Sequence, residues 1–191
     1  MDKKCINFYN KFIKYNRNYK RREVKMASVF KQLGQISMVV EDVMETAKIW
    51  NDEYGIGPWG FLHFTEENMT SMSVHGKNVP YAMDIALCNM YPNIEIELIA
   101  PKDDRSIYAE FLREHGPGIH HIAFVTPHGT FNVAKEMLER KGIEHAQGGK
   151  DPMGQEFAYY NLCKQLGCFI ELNDRPDDFH PLPPEEQYPE K

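Results

Sequence analysis

Four polar side chains recur at matching places in two halves of this chain, and their types suit a divalent cation. Gln35 opens the run Gln35-Ile36-Ser37-Met38-Val39-Val40, and His121 opens His121-Ile122-Ala123-Phe124-Val125-Thr126. Each run leads through a polar stretch to an Ala-Lys pair and then Gly-Ile: Ala47-Lys48 and Gly55-Ile56 in the first, Ala134-Lys135 and Gly142-Ile143 in the second. Gln35 to Gly55 is 20 positions and His121 to Gly142 is 21, so the halves keep register within one residue. Each half also ends in Ile-Glu-Leu, which places Glu97 and Glu171 as equivalents. A single Glu in a hydrophobic strand ordinarily sits at an edge or faces solvent. Recurrence at equivalent places in a duplication is what marks these two.

One imidazole nitrogen, one amide oxygen and two carboxylates make a hard, oxygen-rich ligand set. Such a set suits an octahedral divalent ion that keeps positions open for water or substrate. Cobalt, nickel, manganese, magnesium and zinc all meet that description. A cation of this kind makes a proton on the carbon next to a carbonyl easier to remove, because it stabilises the charge that develops on oxygen. His120 and His121 are strand neighbours, so alternation sends them to opposite faces and only one is expected at the site. His63, His75, His115, His128, His145 and His180 have no partner in the repeat and read as solvated. Trp59, Phe61 and Tyr159 are the aromatics expected to touch substrate, in a pocket that Phe64, Tyr81 and Tyr160 extend, although strand aromatics more often fill a core.

The elements that must position these residues follow the same repeat. A strand over 33–40 leads to a helix over 43–54, which Asp42 and Glu45 open as a capping box and Gly55 closes. Strands are expected over 59–64, 81–89 and 94–99, with a long polar loop over 65–78. A linking helix over 104–115 ends at Gly116. The second half repeats the order: strand 119–125, helix 130–141, a strand near 143–146, a glycine loop over 148–154, and strands 156–161 and 168–172. The fold class is therefore α+β, two tandem βαβββ modules over 32–102 and 117–175.

The chain has 191 residues with 42% hydrophobic content, enough to bury a core. No apolar run approaches the ~20 residues that span a bilayer, and no signal peptide is legible, so a cytoplasmic protein without a membrane partner is expected. Cys5, Cys88, Cys163 and Cys168 form no C-x-x-C pair, which argues against a disulfide framework and a structural zinc site. A net charge of −6 gives no electrostatic case for nucleic acid. The expected partner is a small carbonyl compound.

The ends differ from the middle. Residues 1–25 hold nine Lys and Arg against Asp2 and Glu23. Such an extension suits a basic arm or an Arg-rich address. Arg21-Arg22-Glu23-Val24-Lys25 also reads as the in-frame translation of a purine-rich ribosome-binding sequence. The expectation is that Met26 is the natural start and that 1–25 is a non-native or disordered extension. Residues 176–191 combine Pro176, Pro181, Pro183, Pro184 and Pro189 with acids, a composition expected to form an extended strap or to stay disordered, with no chemistry of its own.

Gly55-Ile-Gly-Pro-Trp59, Ile96-Glu-Leu-Ile-Ala-Pro101, Gly118-Ile-His-His-Ile-Ala-Phe124 and Phe169-Ile-Glu-Leu172 resemble the vicinal oxygen chelate superfamily, over roughly 32–175. That superfamily includes glyoxalase I, methylmalonyl-CoA epimerase, bleomycin-resistance proteins and extradiol dioxygenases, and the stretches look most like its epimerase branch. The resemblance implies a metal site in the sheet cleft at Gln35, Glu97, His121 and Glu171, and it selects His121 over His120. Gln35 stands where the epimerases have histidine, as in some glyoxalase I enzymes. Tyr81 stands where they have a further carboxylate; Asp84 is close, but alternation points it to the other face. The implied activity is that of an isomerase, an epimerase or racemase with Glu171 as one acid/base, Glu97 as the opposing group and Tyr81 as a weaker proton donor. Alternatives within the resemblance are racemisation of an aryl ketone such as an isoflavanone, a glyoxalase I lyase, and a metal-free binding protein. The family resemblance also implies a homodimer.

Overall fold

A computed structural model describes residues 29–30, 32–127 and 129–190. The basic extension expected over 1–25, Met26 and His128 lie outside the described residues. The elements in chain order are β1 (Gln32–Val39), α1 (Val43–Tyr54), β2 (Trp59–Phe64), β3 (Ser71–Val74), β4 (Met83–Tyr91), β5 (Ile94–Pro101), α2 (Ile107–His115), β6 (Gly118–Val125), α3 (Phe131–Glu139), β7 (His145–Lys150), β8 (Glu156–Asn161), α4 (Cys163–Leu166), β9 (Phe169–Asp174) and β10 (Glu186–Tyr188). All ten strands join one sheet in the order β10-β2-β4-β5-β1-β6-β9-β8-β7-β3, giving an α+β fold.

β1 and β6 meet antiparallel at the middle of that order, and each has a parallel partner on its far side, β5 and β9. Continuing outward, β4 and β2 flank β5 as β8 and β7 flank β9, so the two halves run in the same sequence. The opening strands of the repeat therefore lie side by side, and the closing strands lie immediately outside them.

Helices α1 and α3 cover one face. In α1 the Asp42 carboxylate accepts from the Glu45 backbone N–H at 2.9 Å, satisfying one of the free donors of the first turn. Gly55 closes the helix at φ 68°, where a side chain would be strained. Val43 and Ala47 pack onto Trp59, Phe61, Ala86, Leu98 and Ala100, and α3 packs Phe131, Ala134 and Leu138 onto Ala158, Tyr160, Ile170 and Leu172. The alternate residues of the same strands face the other way, around a third cluster with Phe64, Met83, Ile85, Ile99, Phe157 and Tyr159. The linking helix α2 enters this second face, with Ile107 and Tyr108 buried beside them.

Several elements depart from the sequence expectations, among them the short α4 and the terminal β10. The polar loop expected over 65–78 contains β3, which crosses to pair with β7. The glycine loop expected over 148–154 begins as strand, because β7 continues through Gly148 and Gly149. A Cβ on Gly149 would lie 2.7 Å from both the Phe157 ring and the Ser71 carbonyl oxygen, so glycine is what lets β3 come close enough to pair. The strand expected from residue 81 starts at Met83, with Tyr81 just before it.

The C-terminal segment forms a strap rather than a featureless tail. It ends in β10, antiparallel to β2, where the Glu185 N–H donates to the Phe61 carbonyl and the Tyr188 hydroxyl donates to the Asp52 carboxylate. Each outer strand of the two halves is thus covered by a strand that departs from the other half, β3 on β7 and β10 on β2. Among the described residues no helix is long and apolar enough to cross a membrane.

Candidate active site

Register alone brings the recurring polar residues to one face. Gln35 pairs with Glu95 and Ala123, Ser37 with Glu97 and His121, and Ala123 with Glu171. Directly paired residues share a face, so Gln35, Glu97, His121 and Glu171 point together, away from α1 and α3.

His121 Nε2 is the centre of this group. It lies 3.2 Å from Glu171 Oε2, 3.4 Å from Gln35 Oε1 and 3.5 Å from Glu97 Oε2. His121 is fully buried, and Glu97 and Glu171 are 7% and 5% exposed. Both Oε2 atoms are buried without a hydrogen-bond partner among the described residues. Burial, reinforced by the neighbouring Glu171 charge, pushes the Glu97 carboxyl well above the usual carboxylate range. Orphaned buried carboxylate oxygens are costly unless something pairs with them, and a cation would supply that pairing. No group of three or more His, Cys, Asp and Glu among the described residues is already arranged around one point as a cage. The donor chemistry nonetheless fits a divalent ion, which Gln35, Glu97, His121 and Glu171 would hold.

Two further residues prepare this group. Gln35 Nε2 donates to Glu95 Oε1 at 2.8 Å, which turns the amide oxygen toward His121. Burial raises the carboxyl of Glu95 as well, and Glu95 lines the cavity described below. It was not among the expected site residues, yet the alternation Ile94-Glu95-Ile96-Glu97 carries the signal, because residues two apart on a strand share a face. The second is His120. Ser37 pairs with His121 and Met38 with Ile119, so His120 is an extra residue on β6 with no partner on β1. This bulge defeats the alternation that assigned His120 to the opposite face. Both imidazoles are buried, with their Nδ1 atoms 3.0 Å apart. When His121 donates from Nδ1 to His120, its Nε2 lone pair faces the three oxygens, as a ligating imidazole requires. His120 stacks on Phe169 at 4.8 Å between ring centroids, and burial holds its pKa well below the usual histidine range.

A cavity of about 380 Å³ opens above the group. Gln35, Glu95, Glu97, Glu171 and Tyr159 line one side; Leu62, Phe64, Met83, Ile85 and Leu87, from β2 and β4, line the other. Tyr159 packs 4.9 Å from His121 and its hydroxyl is 2.9 Å from that of Tyr108. The other two expected substrate contacts are elsewhere. Trp59 and Phe61 are core residues under α1, because alternation along β2 gives the cavity Leu62 and Phe64 instead. Tyr81 is buried beside Tyr108 and does not line the cavity; its hydroxyl has no hydrogen-bond partner among the described residues, and burial raises its pKa. Asp84 pairs with His63 and Lys102 on the face away from the cavity, as alternation requires. His63 and His75 each meet carboxylates at the surface, His75 joining Glu110 to Glu144.

A strand-built cleft with convergent polar residues from two similar halves defines a class, and sequence comparison agrees. The profile of the Glyoxalase/Bleomycin resistance protein/Dioxygenase superfamily matches residues 34–160, and the chain belongs to that superfamily. Its fold is shared with solved methylmalonyl-CoA epimerases. One, in complex with methylmalonyl-CoA and ammonium, is 19% identical with a TM-score of 0.56, covering 81% of this chain and all of its own. The epimerase of Mycobacterium tuberculosis is 19% identical with a TM-score of 0.54, over 82% of this chain and 95% of its own. A hypothetical protein of Bacillus halodurans C-125 is 17% identical with a TM-score of 0.58, over 78% of this chain and 98% of its own. No protein of curated function matches the chain.

Proposed function

We propose that this protein is a metal-dependent epimerase or racemase that removes a proton from carbon next to a carbonyl. The observation that carries the reading is the convergence of Gln35, Glu97 and Glu171 on His121 Nε2 at the base of one cavity, with two buried carboxylate oxygens left without a hydrogen-bond partner among the described residues. A divalent cation bound there supplies a Lewis acid that stabilises negative charge developing on the carbonyl oxygen.

The remaining work falls to the chain. Glu171 is the group that accepts the proton, its Oε2 without a hydrogen-bond partner among the described residues. Glu97 lies on β5, across β1 and β6 from Glu171 on β9. It is placed to return a proton from the other side, and return to the opposite face inverts the carbon. Return to the neighbouring carbon is the outcome of a glyoxalase. In this reading Tyr81 takes no acid/base part, because it is not among the residues that line the cavity.

An aryl ketone suits the cavity better than a coenzyme A thioester. Its far wall is apolar, and among its described lining residues Arg175 is the one cation, whereas a coenzyme A tail carries several phosphate charges. The test is deuterium uptake in heavy water, read by mass spectrometry, from methylmalonyl-CoA, the methylglyoxal–glutathione adduct and an isoflavanone, with and without chelator. Chelator-sensitive uptake into one of them, lost in Glu171→Gln, is expected. Bound metal without uptake would reject these substrates, and absence of both uptake and metal would favour a binding protein.

A further inference from the structure

The strap that follows β9 does more than cover an edge. Between its root at Arg175 and β10 it brings Phe179, Pro181 and Leu182 against the cavity, where they stand among the lining residues. Leu182 also packs against the same apolar cluster as Phe64 and Ile85. Both ends are held. At the root, Arg175 Nε donates to Gln155 Oε1 at 2.7 Å and its guanidinium lies 4.9 Å from the centre of the Phe179 ring. At the far end the Tyr188 hydroxyl reaches both oxygens of Asp52, at 2.8 and 2.9 Å, and Pro184 sits so close that a Cβ on Gly60 would be 2.9 Å from it. A proline-rich segment clamped twice loses little further entropy when it forms a wall.

We propose that this strap is the substrate-selecting wall of the cavity, with Arg175 as its anion anchor. On the reading proposed above, the substrate class is then a compact, largely apolar carbonyl compound carrying one anionic or acidic group. The placement follows from charge. Among the described lining residues Arg175 is the one cation, so an anionic group is drawn to it. The apolar body of the ligand then lies between β2, β4 and the strap. A bulky appendage would have to displace Phe179 or Leu182, which discriminates against it.

Binding and turnover test this separately. The binding probe is 8-anilinonaphthalene-1-sulfonate, an apolar aromatic with one anionic group, titrated by fluorescence into the full chain. Expected is one site, weakened roughly tenfold or more by Phe179→Ala and by Arg175→Met. Tyr188→Phe, which leaves every wall residue in place and frees only the clamp on Asp52, should weaken it by a smaller factor. Equal affinity in all four proteins, or no binding, overturns the proposal whether or not the chain catalyses proton exchange. For turnover, Gly60→Val, which levers Pro184 away, should raise KM for the isoflavanone roughly tenfold with kcat nearly unchanged. Deuterium uptake unaffected by Gly60→Val and Phe179→Ala would overturn the strap's role while leaving the proposed reaction standing.

Discussion

Glu97 is a buried carboxyl whose nearest charged neighbours include another carboxyl, and that arrangement has a measurable consequence. Its pKa is raised by burial, so the ion-free protein holds a proton on Glu97 above the pH at which an exposed glutamate loses it. The sign follows: the folded state gains relative stability below the unfolded pKa and loses it as pH rises toward the raised folded pKa. A cation that needs the ionised form must expel that proton. Cobalt(II) titrations in two buffers of different ionisation enthalpy should therefore show proton release that grows as the pH is lowered, and Glu97→Gln should diminish it while raising the melting temperature of the ion-free protein. Identical heats in both buffers would refute the assignment. His120 acts at the same scale but through His121. His120→Phe preserves the stack on Phe169 and removes the Nδ1 partner. It should leave the melting temperature nearly unchanged yet weaken cobalt binding by about 10–100-fold; unaltered affinity would make His120 a packing residue only.

At the scale of elements, strand pairing decides which side chains meet, and small residues decide which strands pair. β3 is four residues long, yet it reaches across to β7 because Gly149 presents no side chain to it. Gly149→Ala forces a methyl group against the Ser71 carbonyl and the Phe157 ring. The expected cost is about 1–3 kcal/mol, read as a lower melting temperature together with faster hydrogen exchange over 71–74. Unchanged exchange there would mean the pairing tolerates the methyl group. The β6 bulge belongs to this scale too. Its effect on His120 was hidden in the sequence because alternation is a local rule, whereas a bulge is set by the register between two strands distant in the chain.

In the whole molecule the halves are joined three ways: β1 on β6 at the centre, β3 on β7, and β10 on β2. α2 adds a fourth tie, its Ile107 N–H accepted by Gln147 on β7 at 3.0 Å. Separate melting of the halves would tear the apolar cluster to which both contribute. Both tryptophans, Trp50 and Trp59, lie in the first half, so their fluorescence reports that half alone. It should change at the same temperature as far-UV circular dichroism, which reports the whole. Two separated transitions would show the halves to be independent.

Periodicity and duplication, both local properties of the sequence, determined the α+β class, most helix and strand positions, and the recurrence of Gln35, Glu97, His121 and Glu171. Recurrence at equivalent places in the duplication is why these four could be singled out from the sequence, and pairing across β5, β1, β6 and β9 gives them a common face. The tertiary structure decided what depends on contacts between distant segments. It turned Trp59 and Phe61 into the core under α1, moved Tyr81 off the cavity surface, and set His120 beside His121. It also drew Phe179, Pro181 and Leu182 from the proline-rich tail to the cavity. No local pattern encodes these placements, because each depends on the strand order and register of a sheet built from both halves.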